Sequence, residues 1–392
     1  MPNYNYIEKL FSLEEKSVKE LEIYPDYCLI HLEFSRKSQH CPNCNQITDK
    51  IKDFRSQKIL LDSLNGKPTY ALVNKRRYIC PHCARSFYEM TGFSSKYQRR
   101  SRSQFAHIIH ECSQKQSFTQ IAQRYSVSVT TVIRYFSMVV FSAPKTLPEV
   151  ISIDEFKGNA QGQKYQVALV DPITKKPLDI LPKRDTTQLI RYFRKNFTYL
   201  QRCKVNLVVT DLSVLFRKVI HTVFPKAKIV ADRFHIIRLV NWAMQRVRKR
   251  VQNDMRNERL YFKRSKSLMN KNVEKLTEDE CIKLEIMLGK SKDLGYAYML
   301  KECFRKVLRF DAVNMQSFLD RWLGLVAESE LKEFKSILTT FKSWRDEIVM
   351  GLLSEHSNGY IEGHNNKIKV IKRLSFGIKT FSLLRARILY AD

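Results

Sequence analysis

Apolar and polar positions along the middle of the chain form two kinds of pattern, amphipathic stretches and short apolar runs. Between residues 150 and 231, amphipathic stretches near Thr186–Phe197 and Leu212–Phe224 repeat with the period of a helix. The apolar runs between them predict buried strands at Val150–Phe156, Tyr165–Val170, Leu178–Leu181, Val205–Thr210 and Lys228–Ala231. Short strands that alternate with helices are typical of an α/β domain.

Proline is confined to the first part of the chain. All 11 prolines lie at or before Pro225, and residues 226–392 are rich in Lys, Arg, Glu, Leu and Met. Because proline interrupts helices, its absence predicts a mainly helical C-terminal part. The segment Ser142–Pro148 carries two prolines between apolar blocks, which indicates a linker and a domain boundary.

The composition is that of a folded but strongly basic protein. The 392 residues include 69 Lys and Arg against 39 Asp and Glu, a net charge of +30, with 44% apolar and 28% charged residues. At roughly 150 residues per domain, this length predicts two or three domains. The positive charge attracts polyanions, so nucleic acid is the expected partner. The sequence has no run of about 18 uncharged apolar residues and no signal-peptide order at its start. We therefore expect a cytoplasmic, nucleoid-associated protein with no membrane partner.

Two Cys-x-x-Cys knuckles, Cys41 with Cys44 and Cys80 with Cys83, predict a structural zinc site. Zinc prefers four soft ligands in a tetrahedron, and two separate knuckles supply them. The 35 residues between the knuckles exceed the common spacing of about 15 to 20. Two strand-like segments lie in this interval, Ile59–Leu64 and Tyr70–Val73. Redox-active or unligated buried cysteines are the alternatives, although the second knuckle and the lack of a βαβ context argue against redox chemistry.

Residues 117–136 have the layout of two short helices around a tight turn. Ser126 occupies the turn position where glycine is usual, because the turn needs a left-handed residue. The predicted second helix points four side chains outward, where a recognition helix meets DNA: Ser128, Thr130, Thr131 and Arg134. Any pair of amphipathic helices has a similar pattern, so the motif alone leaves a purely structural interpretation open.

Two aspartates follow predicted buried strands, Asp154 and Asp211. Ligands of α/β sheets bind at the carboxyl ends of the strands, so adjacent strands would bring the two acids together. Close carboxylates repel unless a cation neutralises them, and Mg²⁺ accepts one or two carboxylates together with phosphate oxygens. A strand-terminal aspartate is equally often a turn cap, which is the alternative for each.

A third acid, Glu362, lies in a predicted amphipathic helix. At 100° per residue, one face of this helix carries Glu362, Asn366, Lys369 and Arg373, and another carries Ile361, Ile368 and Ile371. We expect the first face to hold metal and DNA while the second packs. Glu155 and Glu355 are competing acids, but Glu155 alternates to the opposite strand face from Asp154 and Glu355 precedes a turn.

Residues 233–271 contain 12 Lys and Arg against 2 acids and include Trp242. A solvated helix face is the ordinary explanation of a charge run. This excess is so one-sided that we predict phosphate binding. The candidate residues are Arg246, Arg248, Lys249 and Arg250.

The order of these motifs resembles the ISL-three family of bacterial insertion-sequence transposases. The resemblance rests on the paired knuckles, the two-helix motif and four segments: Ile153–Phe156, Thr210–Ser213, Asp232–His235 and Ser357–Lys369. That family is similar to ribonuclease-H-like DDE enzymes. The resemblance implies that Asp154, Asp211 and Glu362 form a catalytic triad that holds Mg²⁺ or Mn²⁺. It implies that the substrate is double-stranded DNA, both the terminal inverted repeats of the element and the target.

The same resemblance gives Asp232 and His235 an accessory role, because they match an Asp-x-x-His signature of related transposases. The simpler alternative is that Asp232 caps a helix. Between Asp232 and Glu362 lie more residues than a ribonuclease-H-like core needs, which implies a helical insertion.

The expected fold is multidomain: a zinc-ribbon-like module and a helix-turn-helix, then an α/β ribonuclease-H-like core interrupted by an all-α insertion. The expected boundaries are 1–95 for the zinc module, 96–143 for the helix-turn-helix, 150–235 with 346–392 for the core, and 236–345 for the insertion.

We therefore expect a transposase that cuts and rejoins DNA and acts as a homo-oligomer on it. One rival is a non-enzymatic, zinc-containing DNA-binding regulator, which would leave the three acids unexplained. Another is a nuclease that hydrolyses DNA but does not join ends.

Overall fold

The structure is a computed structural model that describes residues 5–14, 17–94, 98–255, 262, 265–309, 312–354, 359–375 and 378–391. For residues 312, 313 and 359–362 it describes the backbone alone. The chain forms two compact units, one of residues 1–141 with 369–392 and one of residues 142–368.

The first unit is built on a β-sheet followed by three helices. Its elements up to residue 141 are α1 (Asn5–Leu10), β1 (Val18–Ile23), β2 (Cys28–Leu32), β3 (Gln39–His40), β4 (Ile47–Thr48), β5 (Ile51–Leu60), β6 (Thr69–Ile79), β7 (Ser86–Tyr88), α2 (Arg102–Glu111), α3 (Phe118–Arg124) and α4 (Val129–Phe136). Strands β1, β2, β6 and β5 lie side by side in that order, and β7 pairs with β6. Strands β2 and β6 are parallel, and the other pairs of this sheet are antiparallel.

The long β5–β6 hairpin explains the wide interval between the cysteine knuckles. The strand predicted at Ile59–Leu64 begins earlier, at Ile51, and ends at Leu60, and the one predicted at Tyr70–Val73 extends to Ile79. Alternate side chains of β6 are buried, which places Ala71 and Val73 in the core of this sheet.

The second unit begins with a mixed sheet. Its strands and first helices are β8 (Val150–Ala160), β9 (Gln163–Asp171), β10 (Lys176–Leu181), α5 (Thr186–Asn196), α6 (Tyr199–Cys203), β11 (Leu207–Thr210), α7 (Val214–Val223) and β12 (Lys228–Ala231). The strand order is β10-β9-β8-β11-β12. Strands β8, β9 and β10 form an antiparallel meander, and β11 lies parallel to both β8 and β12. The predicted strands and helices of this region are therefore present, with ends that differ by a few residues.

After β12 the described residues of the second unit are helical, as the absence of proline predicts. The helices are α8 (Arg233–Asp254), α9 (Ser265–Asn270), α10 (Glu278–Gly289), α11 (Lys292–Val307), α12 (Ala312–Glu328), α13 (Lys332–Ser343) and α14 (Arg345–Leu353), with a 3₁₀ turn at Val273–Lys275. Phe304, Trp322 and Phe341 pack together with ring centroids 4.8 to 5.9 Å apart at the centre of their core.

Helix α14 returns the chain to the sheet, where it packs on β12 without a gap. Gly351 faces β12 so closely that a Cβ atom there would lie 2.0 Å from the carbonyl oxygen of Ala231. On the same helix, buried Glu347 pairs with Arg217 of α7 at 2.5 Å. Glycine is therefore required where α14 crosses the end of the strand.

The last helices are α15 (Gly359–Leu374) and α16 (Phe381–Tyr390). The segment 346–392, which we predicted as part of the catalytic core, is divided between the two units, because residues 369–392 group with the first unit. Arg387 of α16 is buried there and donates to the backbone carbonyls of Cys112, Gln114 and Gln116. These contacts join residues more than 270 positions apart, and no local sequence pattern reports them.

No helix in the described ranges combines the length and the apolar character needed to cross a membrane.

Candidate active site

The second unit places three aspartates at the same edge of its sheet. Ile153 of β8 pairs with Thr210 of β11, and Thr210 pairs with Ala231 of β12. Asp154, Asp211 and Asp232 each come one residue later in the sequence. The parallel pairing of the three strands therefore ends in register, and an acid follows the last paired residue of each strand. Because Ile153 pairs with Thr210, the residues that follow them, Asp154 and Asp211, lie close together, as predicted.

Asp154 is held by two hydrogen bonds in a mostly buried position. Its Oδ1 accepts the backbone N–H of Glu155 at 2.8 Å, and its Oδ2 accepts the side-chain amide of Asn365 at 2.7 Å. Burial raises the pKa of the Asp154 carboxyl to about 6, and the negative charge of Asp211 adds to this rise. Desolvation and repulsion are thus both present at this carboxylate in the absence of a cation.

Asp211 is also mostly buried, and burial raises its pKa. The charges of His235, Arg184 and Arg238 oppose that rise without cancelling it. Its Oδ1 is buried and has no hydrogen-bond partner among the described residues. A buried carboxylate oxygen without a donor is costly unless something else supplies positive charge.

Glu155 has a different role from its neighbour Asp154. Its carboxylate forms an ion pair with Arg184, which also donates to the hydroxyl of Ser213 at 3.1 Å. Burial raises the pKa of Glu155, and Arg184 counteracts this rise. The guanidinium therefore neutralises the competing acid, and Arg184 is a residue of this site that the sequence analysis missed.

Asp232 caps a helix, as the simpler alternative predicts, and it also contacts His235. Its Oδ1 caps α8 by accepting the N–H of Phe234 at 3.1 Å, and its Oδ2 contacts Nδ1 of His235 at 2.7 Å. The charge of His235 lowers the pKa of both Asp154 and Asp211 against the effect of burial. The Asp232–His235 pair therefore lies within electrostatic reach of the other two acids.

Helix α15 brings Asn365 to Asp154, and Glu362 lies one turn earlier on the same helix. The side chain of Glu362 and the competing acid Glu355 lie outside the described residues. A spacing of three residues places two side chains on neighbouring positions of one helix face. No role was predicted for Asn365, although its spacing from Glu362 is the signal that could have identified it.

The donor set at this edge fits a hard divalent cation. Asp154 and Asp211 present carboxylate oxygens, of which Asp211 Oδ1 is buried without a donor. Both pKa values are raised, as expected where two acids share a site without a cation. Oxygen ligands of this kind suit Mg²⁺ or Mn²⁺ and do not suit a soft metal.

In the first unit, the four predicted zinc ligands come together. The Sγ atoms of Cys41, Cys44, Cys80 and Cys83 all lie within 4.8 Å of one another, and the two cross-knuckle pairs 41–83 and 44–80 are 3.5 Å apart. Sulfurs about 2.3 Å from a central zinc in a tetrahedron are separated by about 3.8 Å. This arrangement fits a zinc ion.

The two knuckles have the same backbone geometry. The residue after each second cysteine has a positive φ, +60° for Asn45 and +59° for Ala84. Its N–H donates at 2.9 Å to the carbonyl of the first cysteine, Cys41 or Cys80. Both loops therefore turn tightly enough to aim two sulfurs at one point.

Helices α3 and α4 lie within the predicted two-helix motif, and Ser126 between them has a φ of +52°. Ser128 caps α4, and the side chains of Ser128, Thr130 and Arg134 are exposed. The prediction that Thr131 points outward is wrong. Thr131 is 6% exposed, and its hydroxyl lies 2.9 Å from that of Ser128, so it stabilises the start of the helix.

The prediction that Arg248 binds phosphate is also wrong. Arg248 is 7% exposed. Its guanidinium donates to Gln245 at 2.7 Å on the same helix and to Ser265 of α9 at 3.2 Å. It joins α8 to α9 and is inaccessible to DNA.

The other predicted basic residues are exposed. On α8, Arg246 donates to Ser336, Arg250 pairs with Glu333 and Asp293, and Lys249 is exposed. On α15, Lys369 and Arg373 are exposed, whereas the predicted packing residues Ile368 and Ile371 are buried. The two faces of α15 are therefore divided as predicted wherever its side chains are described.

Two family models match this chain. Residues 151–388 match the ISL-three family of DDE transposases, described as transposase, and residues 37–83 match the zinc finger of transposases of the IS204, IS1001, IS1096 and IS1165 elements. A transposase for insertion sequence element IS1001 from Bordetella parapertussis is 24% identical over 361 residues, which are 89% of this chain and 88% of that protein.

Two shorter matches cover less of the chain. A transposase for insertion sequence element IS1557 from Mycobacterium tuberculosis is 28% identical over 180 residues, 40% of each chain. A Lactococcus lactis protein called ATP-dependent protease is 30% identical over 133 residues, 34% of this chain and 38% of that one. Since this last match leaves most of both chains unaligned, its name implies no activity here. The chain thus combines an N-terminal zinc-ribbon domain with a C-terminal transposase domain of mixed sheet and helices.

Proposed function

The chain belongs to the ISL-three family of transposases, and we propose that it cuts and rejoins DNA at Asp154, Asp211 and Glu362. The observation that carries this proposal is the register of the sheet, because the parallel pairing of β8 with β11 ends at Ile153 and Thr210 and Asp154 and Asp211 follow directly. The contact of Asn365 with Asp154 adds the helix of the third acid to the same site.

The order of the strands supports a ribonuclease-H-like core. An antiparallel meander of three strands is extended by two parallel strands, with helices in the connections between them. In such a sheet the catalytic acids belong at the carboxyl ends of the parallel strands. The helical region from α8 to α13 is then an insertion between the second and third acids, and Asp232 with His235 is an accessory pair at its start.

Asp154, Asp211 and Glu362 would hold the divalent cations. When bound, Mg²⁺ or Mn²⁺ supplies the positive charge that phosphoryl transfer requires at the attacking and leaving oxygens. The protein contributes position: Asn365 orients Asp154, Arg184 neutralises Glu155, and burial keeps water from competing for the carboxylates.

We propose that DNA is contacted by two kinds of surface. In the first unit, Thr130 and Arg134 of a helix-turn-helix face the terminal inverted repeat, and the zinc ribbon supports this unit. Basic residues including Lys249, Lys369 and Arg373 contact phosphates of end or target DNA. Because both ends of an element must be cut and joined, a homo-oligomer that presents two identical sites fits the reaction.

The test is cleavage of DNA that carries the ends of the element, in Mg²⁺ or Mn²⁺, with the nicks mapped. Asp154→Asn, Asp211→Asn and Glu362→Gln should each abolish cleavage and leave binding nearly intact. Asp171→Asn is the matched control, because Asp171 also ends a strand of the same sheet, but that strand runs antiparallel to β8 and ends at the opposite edge.

Retained cleavage in any of the three variants removes that residue from the site. Binding without cleavage by the unaltered protein would favour the DNA-binding regulator instead. Nicking without joining in a strand-transfer assay would identify a simple nuclease.

A further inference from the structure

Trp242 lies exposed on α8 between two cavities. Its side chain is 54% exposed, whereas the chain's other two tryptophans, Trp322 and Trp344, are buried in the helical core. The cavities have volumes of about 350 and 520 Å³, and both are lined by Trp242 and Lys249. A large aromatic ring that is about half exposed is available to stack on a ligand.

The surroundings of Trp242 are basic and aromatic. The guanidinium of Arg238 lies 4.8 Å from the centre of the Trp242 ring and 5.8 Å from that of Phe234, which is also exposed. Lys249 and Lys266 line the smaller cavity, and among the described lining residues of both cavities there is no carboxylate. Aromatic rings interleaved with cations are the composition that binds single-stranded nucleic acid.

The floor of this groove is held in place by a buried polar network. Gln245 donates to Asn270 at 3.0 Å and accepts from Arg248 at 2.7 Å, and Arg248 in turn donates to Ser265. These bonds fix α9 to α8. Trp242 therefore lies on a helix that these bonds hold against its neighbour, and not on a loop.

The groove lies further along α8 from the end of the helix that is next to the acids. His235, Arg238 and Trp242 lie three and four residues apart along α8, so they follow one helix face over about 10 Å at about 1.5 Å per residue. His235 contacts Asp232, and Arg238 is near enough to Asp211 for its charge to act against the raised pKa of that acid. A DNA strand cut at the acids would reach Trp242 within a few nucleotides.

We propose that this groove receives an unpaired nucleotide of the strand being cut, with its base stacked on Trp242 and its phosphates beside Lys249 and Lys266. The proposal rests on the proposed function, since the acids near the first turn of α8 define where the strand lies. A base in a duplex is reached only by extruding it from the stack, and stacking on an aromatic ring offsets the cost of that extrusion.

The first experiment measures the cleavage of end DNA by Trp242→Ala and Trp242→Phe. Stacking of one base on an aromatic side chain predicts a loss of about 5- to 150-fold for Trp242→Ala and a smaller loss for Trp242→Phe. Tyr199→Ala is the matched control. Tyr199 is 62% exposed and has Arg202 5.7 Å from its ring centre, but it lies on α6, outside the groove.

A set of mismatched substrates separates stacking from a structural effect. Single mismatches are placed one at a time at the nucleotides flanking the nick, where an already unpaired base is cheaper to extrude. At one position the mismatch should restore most of the activity of Trp242→Ala, while it changes the unaltered protein little. A general folding defect would respond equally to every position. Equal cleavage of the paired duplex by Trp242→Ala and the unaltered protein, or no rescue at any position, would overturn the proposal.

The second experiment does not depend on cleavage. A short oligothymidine should quench the tryptophan fluorescence of the unaltered protein, because its bases stack on Trp242, and it should not quench that of Trp242→Phe, which retains the two buried tryptophans. If the unaltered protein fails to cut DNA but shows this quenching, the proposed function is contradicted and nucleotide binding in the groove is supported. If it cuts DNA but the oligonucleotide leaves the fluorescence unchanged or quenches Trp242→Phe equally, nucleotide binding in the groove is contradicted and the proposed function is not.

Discussion

Replacing Asp154 by asparagine should stabilise the metal-free protein while it abolishes cleavage. Burial and the charge of Asp211 raise the pKa of Asp154 from its ordinary value of 3.8 to about 6. A tenfold change in proton affinity corresponds to about 1.4 kcal/mol, so keeping this carboxylate ionised in the folded state costs up to about 3 kcal/mol above pH 6. Asparagine has the same shape and carries no charge.

The hydrogen bonds of the site accommodate the substitution. Asp154 accepts from Asn365, and the carbonyl oxygen of that amide is buried without a partner among the described residues. A rotation of the Asn365 amide would present this oxygen to the new side-chain N–H₂ at position 154. The substitution therefore removes the charge and keeps a hydrogen bond between the two side chains, while the Asn365 N–H₂ takes the buried position of its carbonyl oxygen.

The sign of the pH dependence is fixed by the raised pKa. The folded protein binds a proton at Asp154 more tightly than the unfolded chain does, so this group's contribution to stability is lost as the pH rises from about 4 to about 6. Asp154→Asn should match the unaltered protein near pH 4 and exceed it by up to about 3 kcal/mol near pH 8. Mg²⁺ should then stabilise only the unaltered protein, by binding its folded form.

Urea unfolding in a chelator, followed by tryptophan fluorescence at both pH values, measures this difference. All three tryptophans lie in residues 142–368, so their emission reports on the unit that contains Asp154. Asp171→Asn is the control and should be destabilising, because the Asp171 carboxylate accepts two backbone N–H groups of a turn. A variant at Asp154 that is less stable than the unaltered protein at pH 8, or a difference independent of pH, would refute the reasoning.

Three further predictions concern the fold and the DNA contacts. Gly351→Ala should lower the free energy of unfolding by about 1 to 3 kcal/mol in the same urea assay, because its methyl group would overlap the backbone of β12. Elemental analysis should find one zinc per chain, and Cys80→Ser should lose it and unfold the N-terminal sheet without changing the tryptophan emission of the second unit. Replacing Thr130 and Arg134 by alanine should reduce the preference for the terminal repeat over random DNA, whereas Lys249→Gln should weaken binding to both equally and lower the salt slope by up to about 0.9.

The acids at the sheet edge could be predicted from the sequence because their signal is local. A buried parallel strand is a short apolar run, and an acid directly after it lies at the strand end, as Asp211 does after β11. The bounds of β12 were predicted to the residue for the same reason.

Burial of individual polar side chains could not be predicted, because it depends on distant partners. In the sequence, Arg248 cannot be distinguished from the basic residues of an exposed helix face. In the structure it is buried and donates a hydrogen bond to Ser265 on another helix. Thr131 follows exposed Thr130 in the sequence and is buried by the packing of α4. The role of Asn365 depends on a strand more than 200 positions earlier in the chain.

The position of Arg387 has a consequence for how the protein is made. Its guanidinium donates to the backbone carbonyls that follow α2, among them those of Cys112 and Gln116. The same guanidinium lies 5.0 Å from the centre of the Phe118 ring. During translation these carbonyls leave the ribosome long before Arg387 does, and all of residues 142–368 are synthesised in between. The unit that carries the zinc ribbon therefore completes its core last, although its sequence is translated first. A ribosome that stalls before α16 releases a nascent chain whose second unit has every residue it needs and whose first unit still exposes the backbone that Arg387 would have covered.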